Sequence, residues 1–159
     1  MVRKLICATL LLAGSEPASA LCIYHGVDNA KTSIAREFRD SKWVVRAHVV
    51  SADYHWSDED ESWAFYRLKV IKSYKGKLRP RFTFFTERNS GGFYMDGAGG
   101  VPDLDRDYLL FLIPDGSPKG HQAFAKSALS VNYNCGQSKV WNEVTAHDAL
   151  ELAALSQGG

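Results

Sequence analysis

Four runs of β-branched, aromatic and aliphatic residues constrain this 159-residue chain most: Trp43–Val50, Trp63–Tyr74, Arg81–Thr86 and Asp107–Ile113. Each is bounded by polar or turn-forming residues, the pattern of strands rather than of helices. Within the second run, Tyr66, Leu68 and Val70 alternate with Arg67, Lys69 and Ile71, so the Tyr66 face is predicted to be buried. Lys75-Gly76-Lys77 supplies a turn, and Pro80 precedes the third run, where a missing N–H is tolerated. The Asp107–Ile113 run is apolar almost without interruption and ends at Pro114-Asp115-Gly116; Ala128-Leu129-Ser130-Val131 begins a further strand. Two helical stretches flank these runs. Asn29–Asp40 places Ala30, Ile34, Ala35 and Phe38 at helical spacing. Ala146–Leu155 is apolar at Leu150, Leu152, Ala153 and Leu155, with Thr145 as N-cap and Asp148 three residues on. Strands separated by turns, with a short helix toward each end, predict an all-β barrel or sandwich rather than a parallel α/β fold.

The N-terminus has a different character. Arg3 and Lys4 precede an apolar run from Leu5 to Gly14, and Ala18-Ser19-Ala20 follows. This is the layout of a secretory signal peptide, residues 1–20, with cleavage expected after Ala20. The apolar run is about half the roughly twenty residues that a membrane span requires. Leu21 before Cys22 argues against a lipid anchor. The expected domain is therefore residues 21–159, extracytoplasmic, either periplasmic or secreted. The whole chain has 19 Lys and Arg and 18 Asp and Glu; losing Arg3, Lys4 and Glu16 with the leader leaves 17 against 17. A balanced chain offers no basic field for nucleic acid or anionic lipid.

Cys7 departs with the leader, leaving Cys22 and Cys135. In an oxidising compartment the simplest outcome is one intramolecular disulfide, with free thiols or intermolecular pairing as alternatives. A bridge closing a loop of about 100 residues contributes roughly 4–5 kcal/mol in the chain-entropy account.

The order of these pieces resembles the netrin-like module, the OB-fold domain of the tissue inhibitors of metalloproteinases. Val44-Val45-Arg46-Ala47-His48-Val49-Val50-Ser51 is similar to its first barrel strand. Tyr66-Arg67-Leu68-Lys69-Val70-Ile71-Lys72-Ser73-Tyr74-Lys75-Gly76 is similar to its long second strand, with the terminal Lys-Gly. Asp107-Tyr108-Leu109-Leu110-Phe111 resembles a later strand, and Asn134-Cys135-Gly136 with Val140 and the final helix resembles the closing segment. The resemblance covers roughly residues 22–155. It implies a five-stranded OB barrel with flanking helices, a Cys22–Cys135 bridge, and a single-domain exported member of bacterial type. It also implies a contact ridge built from the N-terminal segment and neighbouring barrel loops. The animal inhibitors begin with a Cys that chelates the target's zinc; here Leu21 would stand first, and the loop Ser90–Asp96 lacks a partner Cys.

Motifs for catalysis or metal binding are not found. The five His are His25, His48, His55, His121 and His147, without close ligand spacing. Asp103-x-Asp105-x-Asp107 lacks the Gly and Glu of a calcium loop and is expected to be a solvated turn, as is Asp58-Glu59-Asp60-Glu61. Gly91-Gly92 and Gly97-Ala98-Gly99-Gly100 do not precede a Lys-Ser or Lys-Thr and read as loop glycines. Phe82, Phe84 and Phe85 are expected in the core rather than stacked on single-stranded nucleic acid. No cofactor, metal or membrane insertion is expected, and the chain is expected to be monomeric.

Three functional classes follow: a non-catalytic binding module for a protein partner, with a protease as one candidate; a structural or assembly domain of the envelope; and an enzyme whose site is not legible. Trp56, Phe93, Tyr94 and Met95, read as exposed loop residues, favour the first, because interface anchors are often aromatic. The expected docking rim comprises Leu21–Tyr24, His55–Glu61 and Gly92–Asp96, with Leu21, Ile23, Tyr24, Trp56, Phe93 and Tyr94 as contact residues.

Overall fold

The computed structural model describes residues 22–56, 62–88, 91–97, 101–114 and 127–158. Leu21, the leader and the Asp58–Glu61 run lie outside the described residues.

A short hairpin comes first, β1 (Ile23–Tyr24) and β2 (Val27–Asp28). His25 and Gly26 form its two-residue turn, both at positive φ (49° and 79°), the combination that matches the twist of a tight hairpin. Helix α1 (Ile34–Asp40) follows. Then come β3 (Trp43–His55), β4 (Trp63–Lys75), β5 (Arg81–Glu87), β6 (Asp107–Pro114), β7 (Leu129–Val131) and β8 (Lys139–Val140). A 3-10 turn, Trp141–Glu143, leads into α2 (Ala146–Gln157).

The strands β3, β4, β5, β7 and β6 lie side by side in that order, and β6 pairs back onto β3. The sheet is thus a closed five-stranded barrel, mixed because β5 and β7 are parallel. This is an OB-like barrel with a C-terminal helix, as predicted. Register shifts at Val44/Val45, Arg46/Ala47 and Val49/Ser51 mark bulges in β3, which coil a long strand enough for the sheet to close on itself.

Burial explains the strand sequences. Val45, Ala47, Val49, Tyr66, Leu68, Phe82, Phe84, Tyr108, Leu110 and Leu112 fill the barrel. Strand β6 is covered on both faces, because Leu109 and Phe111 point outward beneath the helices with Ile34, Phe38, Tyr74 and Leu152. An unbroken apolar run is what two-sided burial requires. Phe85 leaves the barrel and packs with Phe65 and Ala128.

The helices differ in part from the expected ones. α1 begins at Ile34, not Asn29, because Ser33 caps Arg36 N at 3.2 Å. Asn29 instead closes the hairpin: its N–H donates to Cys22 O (2.6 Å) and its side chain accepts from Cys22 N (3.2 Å). In α2 the capping box of Thr145 and Asp148 forms as the sequence implies. Leu152 is fully buried, whereas Leu150 is 73% exposed and takes no part in the core.

Cys22 and Cys135 form the one disulfide among the described residues, with Cα atoms 6.0 Å apart. It ties the first hairpin to the segment after β7, where Tyr24 packs against Tyr133 at a ring separation of 4.9 Å. No described helix is long and apolar enough to cross a membrane.

Candidate functional site

At one end of the three-stranded face formed by β3, β4 and β5, strand ends bring their last residues together. Arg88 follows β5 directly, and its N–H donates to Ser62 O at 2.7 Å, continuing the ladder past Glu87. On β3, Tyr54 lies opposite Ala64 of β4, and Ala52 opposite Tyr66. This places the Tyr54 and Tyr66 hydroxyls 3.3 Å apart. The Gly-rich loop then returns over this end. A small turn, with Gly97 N–H donating to Val101 O and Asp103 N–H to Met95 O (2.9 Å each), positions Asp96.

Asp96 is the centre of the arrangement. It pairs with Arg88 Nη2 at 2.7 Å and accepts from the Tyr54 hydroxyl and from the Tyr66 hydroxyl, the latter at 3.0 Å. Both charged side chains are largely enclosed, Arg88 at 10% and Asp96 at 14% exposure. Burial pushes the Asp96 carboxyl upward, but the hydrogen bonds from Arg88, Tyr54 and Tyr66 outweigh it and hold it below the usual carboxylate range. The Tyr54 phenol is pushed up to about 12, mainly by burial and by the carboxylate it donates to. The pair is therefore fully ionised, with the phenols as neutral donors.

Three aromatic rings wall the guanidinium. Its carbon lies 4.4 Å from the Trp56 ring centre, 4.6 Å from Tyr94 and 4.9 Å from Tyr54. Cations held against π faces are attracted electrostatically, the more so when water is excluded. Trp56 is the outermost of these rings, 63% exposed, and meets Tyr54 edge-on at 6.2 Å. A Cβ at Gly92 would overlap Glu87 O and the Tyr94 ring, so the loop reaches this packing only with glycine there.

The predicted contact residues divide. Trp56 and Tyr94 converge on Arg88. Phe93 turns inward against Phe84 and Tyr108 at ring separations of 6.1 and 6.5 Å. Met95 is fully buried within the barrel core, and its N–H donates to Tyr66 Oη at 3.2 Å. Read as exposed from its loop position, Met95 is instead a plug, because the loop folds onto the barrel's open end. Tyr24 is corrected likewise: it is 3% exposed, its hydroxyl donates to Asp40 at 2.7 Å, and it presents little surface to a partner. Ile23 is exposed at 57%, on the hairpin. Leu21 lies outside the described residues. Arg88, Tyr54, Tyr66 and Asp96 carry no linear motif; the pairing of β3, β4 and β5 and the return of the Gly-rich loop assemble them.

A second polar cluster lies on the outer face of β3. Asp107 accepts from Arg46 Nε at 2.7 Å and lies 2.8 Å from His48 Nδ1. Arg46 also stacks on Trp141 at 4.4 Å. Asp103 accepts from the Tyr108 hydroxyl at 2.6 Å and pairs with Arg106 at 3.3 Å. Of the three acids expected to form a solvated turn, only Asp105 is solvated; the other two brace strand β6. Among the described residues, no group of three or more His, Cys, Asp or Glu is arranged to hold a metal ion.

The geometry defines a closed OB-like barrel whose end carries an exposed tryptophan on a buried, charge-neutral arginine–aspartate pair. No protein-family model and no curated protein matches the chain.

Proposed function

We propose that this chain is an exported, non-catalytic binding module of the netrin-like type that docks a protein partner, a protease being one candidate, on the rim around Trp56. One observation carries the reading. Trp56 leaves most of its ring in solvent while its inner face packs against Arg88, itself anchored by Asp96. An exposed aromatic over a desolvated arginine has the composition of an interface hot spot. The Cys22–Cys135 disulfide supports export, since such bonds persist in oxidising compartments. The OB-like strand order and the place of the bridge accord with the family resemblance.

Capture with the purified protein from the extracytoplasmic fraction tests the reading. Trp56→Ala and Tyr94→Ala are each expected to weaken binding of the captured partner roughly tenfold or more, the scale of a hot spot. Leu150→Ala, on the exposed face of α2, is expected to leave it unchanged. The reverse pattern places the docking surface on the helix and removes the rim from consideration. Sequencing of the exported protein's N-terminus is expected to read Leu-Cys-Ile-Tyr; a product that begins at Met1 refutes the cleavage.

A further inference from the structure

The Arg88 guanidinium is only half used. Nη2 holds Asp96 at 2.7 Å, yet Nη1 is buried and has no hydrogen-bond partner among the described residues. Buried polar groups almost always find partners, and an unpaired donor on a charged group is costly to retain. Nη1 is therefore an unpaired donor among aromatic rings, on a side chain nine-tenths enclosed.

Charge decides what acceptor suits it. Asp96 already neutralises the guanidinium and is itself saturated by the Tyr54 and Tyr66 hydroxyls. A second carboxylate would meet no unbalanced cation and would be repelled by Asp96 at low dielectric. A neutral carbonyl oxygen completes the donor without adding charge. Trp56 is the most exposed of the three rings and lies one residue beyond the end of β3.

We propose that Arg88 Nη1 is the docking point for a neutral carbonyl oxygen of a partner polypeptide, from its backbone or an Asn or Gln side chain, admitted when the Trp56 ring swings aside and repacks on the incoming segment. The proposal rests on the reading of this rim as a protein-binding surface and names the group that the rim recognises.

The test uses small probes on the purified, disulfide-bonded protein, so it does not depend on finding the partner. A capped dipeptide, N-acetyl-alanyl-alaninamide, is titrated while the Trp56 indole and Arg88 guanidinium N–H resonances are followed. Both are expected to move together and saturably. Arg88→Lys, which keeps the charge but loses the second prong, is expected to weaken the probe about tenfold, the loss of one hydrogen bond to a charged group. Acetate and N-acetylglucosamine at equal concentration are expected to bind more weakly than the dipeptide. Unmoved resonances, an equal response in Arg88→Lys, or preference for acetate or the sugar each overturns the proposal. Should Arg88→Lys not fold, Trp56→Ala serves instead: it keeps Arg88 and is expected to speed exchange of the guanidinium hydrogens with solvent, and unchanged exchange refutes the gate. Failure with the probes while Trp56→Ala still weakens partner capture removes this proposal and leaves the protein-binding reading standing.

Discussion

Asp96 and Glu37 are both enclosed carboxyl groups, and their surroundings drive them in opposite directions. Asp96 sits at the barrel end against Arg88 and two phenols and stays ionised below the usual range. Glu37, on α1, is fully buried, and no cation among the described residues pairs with it. Its Oε1 accepts from the Thr32 hydroxyl at 2.5 Å and from Gln137 N–H at 2.9 Å, while Oε2 has no partner among the described residues. Burial dominates there and, with a smaller contribution from the Asp40 charge, raises its pKa despite those two hydrogen bonds. Gly136 packs so closely on this carboxyl that a Cβ would overlap it. Glu37 thus staples the first helix to the segment that carries Cys135, next to a cleft of about 390 Å³ lined by Asn29, Thr32, Tyr133 and Gln137. Comparison of the two suggests a division of labour. Around the disulfide, polar groups are spent on holding the chain together. Around Arg88, a complete ion pair supports an exposed ring and leaves a donor unpaired among the described residues.

Removing the covalent part of the staple is the strongest way to break this contrast. Replacing Cys22 and Cys135 together by Ser is expected to lower stability by about 3–5 kcal/mol in denaturant titration, as for bridges closing long loops in small domains. A loss under about 1 kcal/mol would show that the hairpin is held by packing alone.

Asp96→Asn probes the other region. It leaves Arg88 buried without its counter-charge and is expected to cost about 3 kcal/mol at neutral pH. Because the native Asp96 pKa is lowered, its contribution is complete above the unfolded carboxylate range and fades as pH falls through the native value. The gap between wild type and variant is therefore expected to close toward acid pH in parallel unfolding curves. A gap independent of pH would mean that Asp96 acts through shape alone.

Glu37→Gln is expected to show the opposite slope. In acid both residues are neutral, and the stabilities should agree within about 1 kcal/mol. The native Glu37 pKa is raised, so its stabilisation is present below the unfolded value and is lost as pH rises through the native one. The variant is then expected to become the more stable of the two toward neutral and basic pH. Parallel curves would contradict a raised Glu37 pKa.

The smallest effect sharpens the comparison at its surface. Ile23→Ser on the hairpin removes an exposed side chain with no core role and is expected to change stability by less than about 0.5 kcal/mol. It is also expected to leave partner binding intact while Trp56→Ala weakens it roughly tenfold or more; equal losses would extend the docking rim to the hairpin.

Several elements were legible because their causes are local. Thr145 and Asp148 cap α2 through bonds between residues three apart. The unbroken apolar run of β6 announced burial on both faces. Elsewhere local signals were too short or were overridden. The β1–β2 hairpin has strands of two residues each, too brief for a period to register. β8 is equally short and exists because β6 offers it an edge. Residues Ser51–His55 are polar enough to read as loop, yet they continue β3 because β4 pairs with them as far as His55–Trp63. Leu150 fits the helical pattern of α2, but Leu152 already fills the contact with the barrel.

The sequence by itself determined the strand runs, the capped final helix and the pool of aromatic loop residues, since periodicity, capping and turn chemistry act between near neighbours. It also supplied the two cysteines, though not their proximity across 113 positions. Tertiary structure alone decided which of these loop residues face outward: Phe93 and Met95 go into the barrel mouth, while Trp56 stays in solvent. It alone joined Arg88 to Tyr54 and Asp96, because strand pairing and barrel closure set those distances. The same closure buried one nitrogen of Arg88 without a partner among the described residues, a property that no linear pattern of residues encodes.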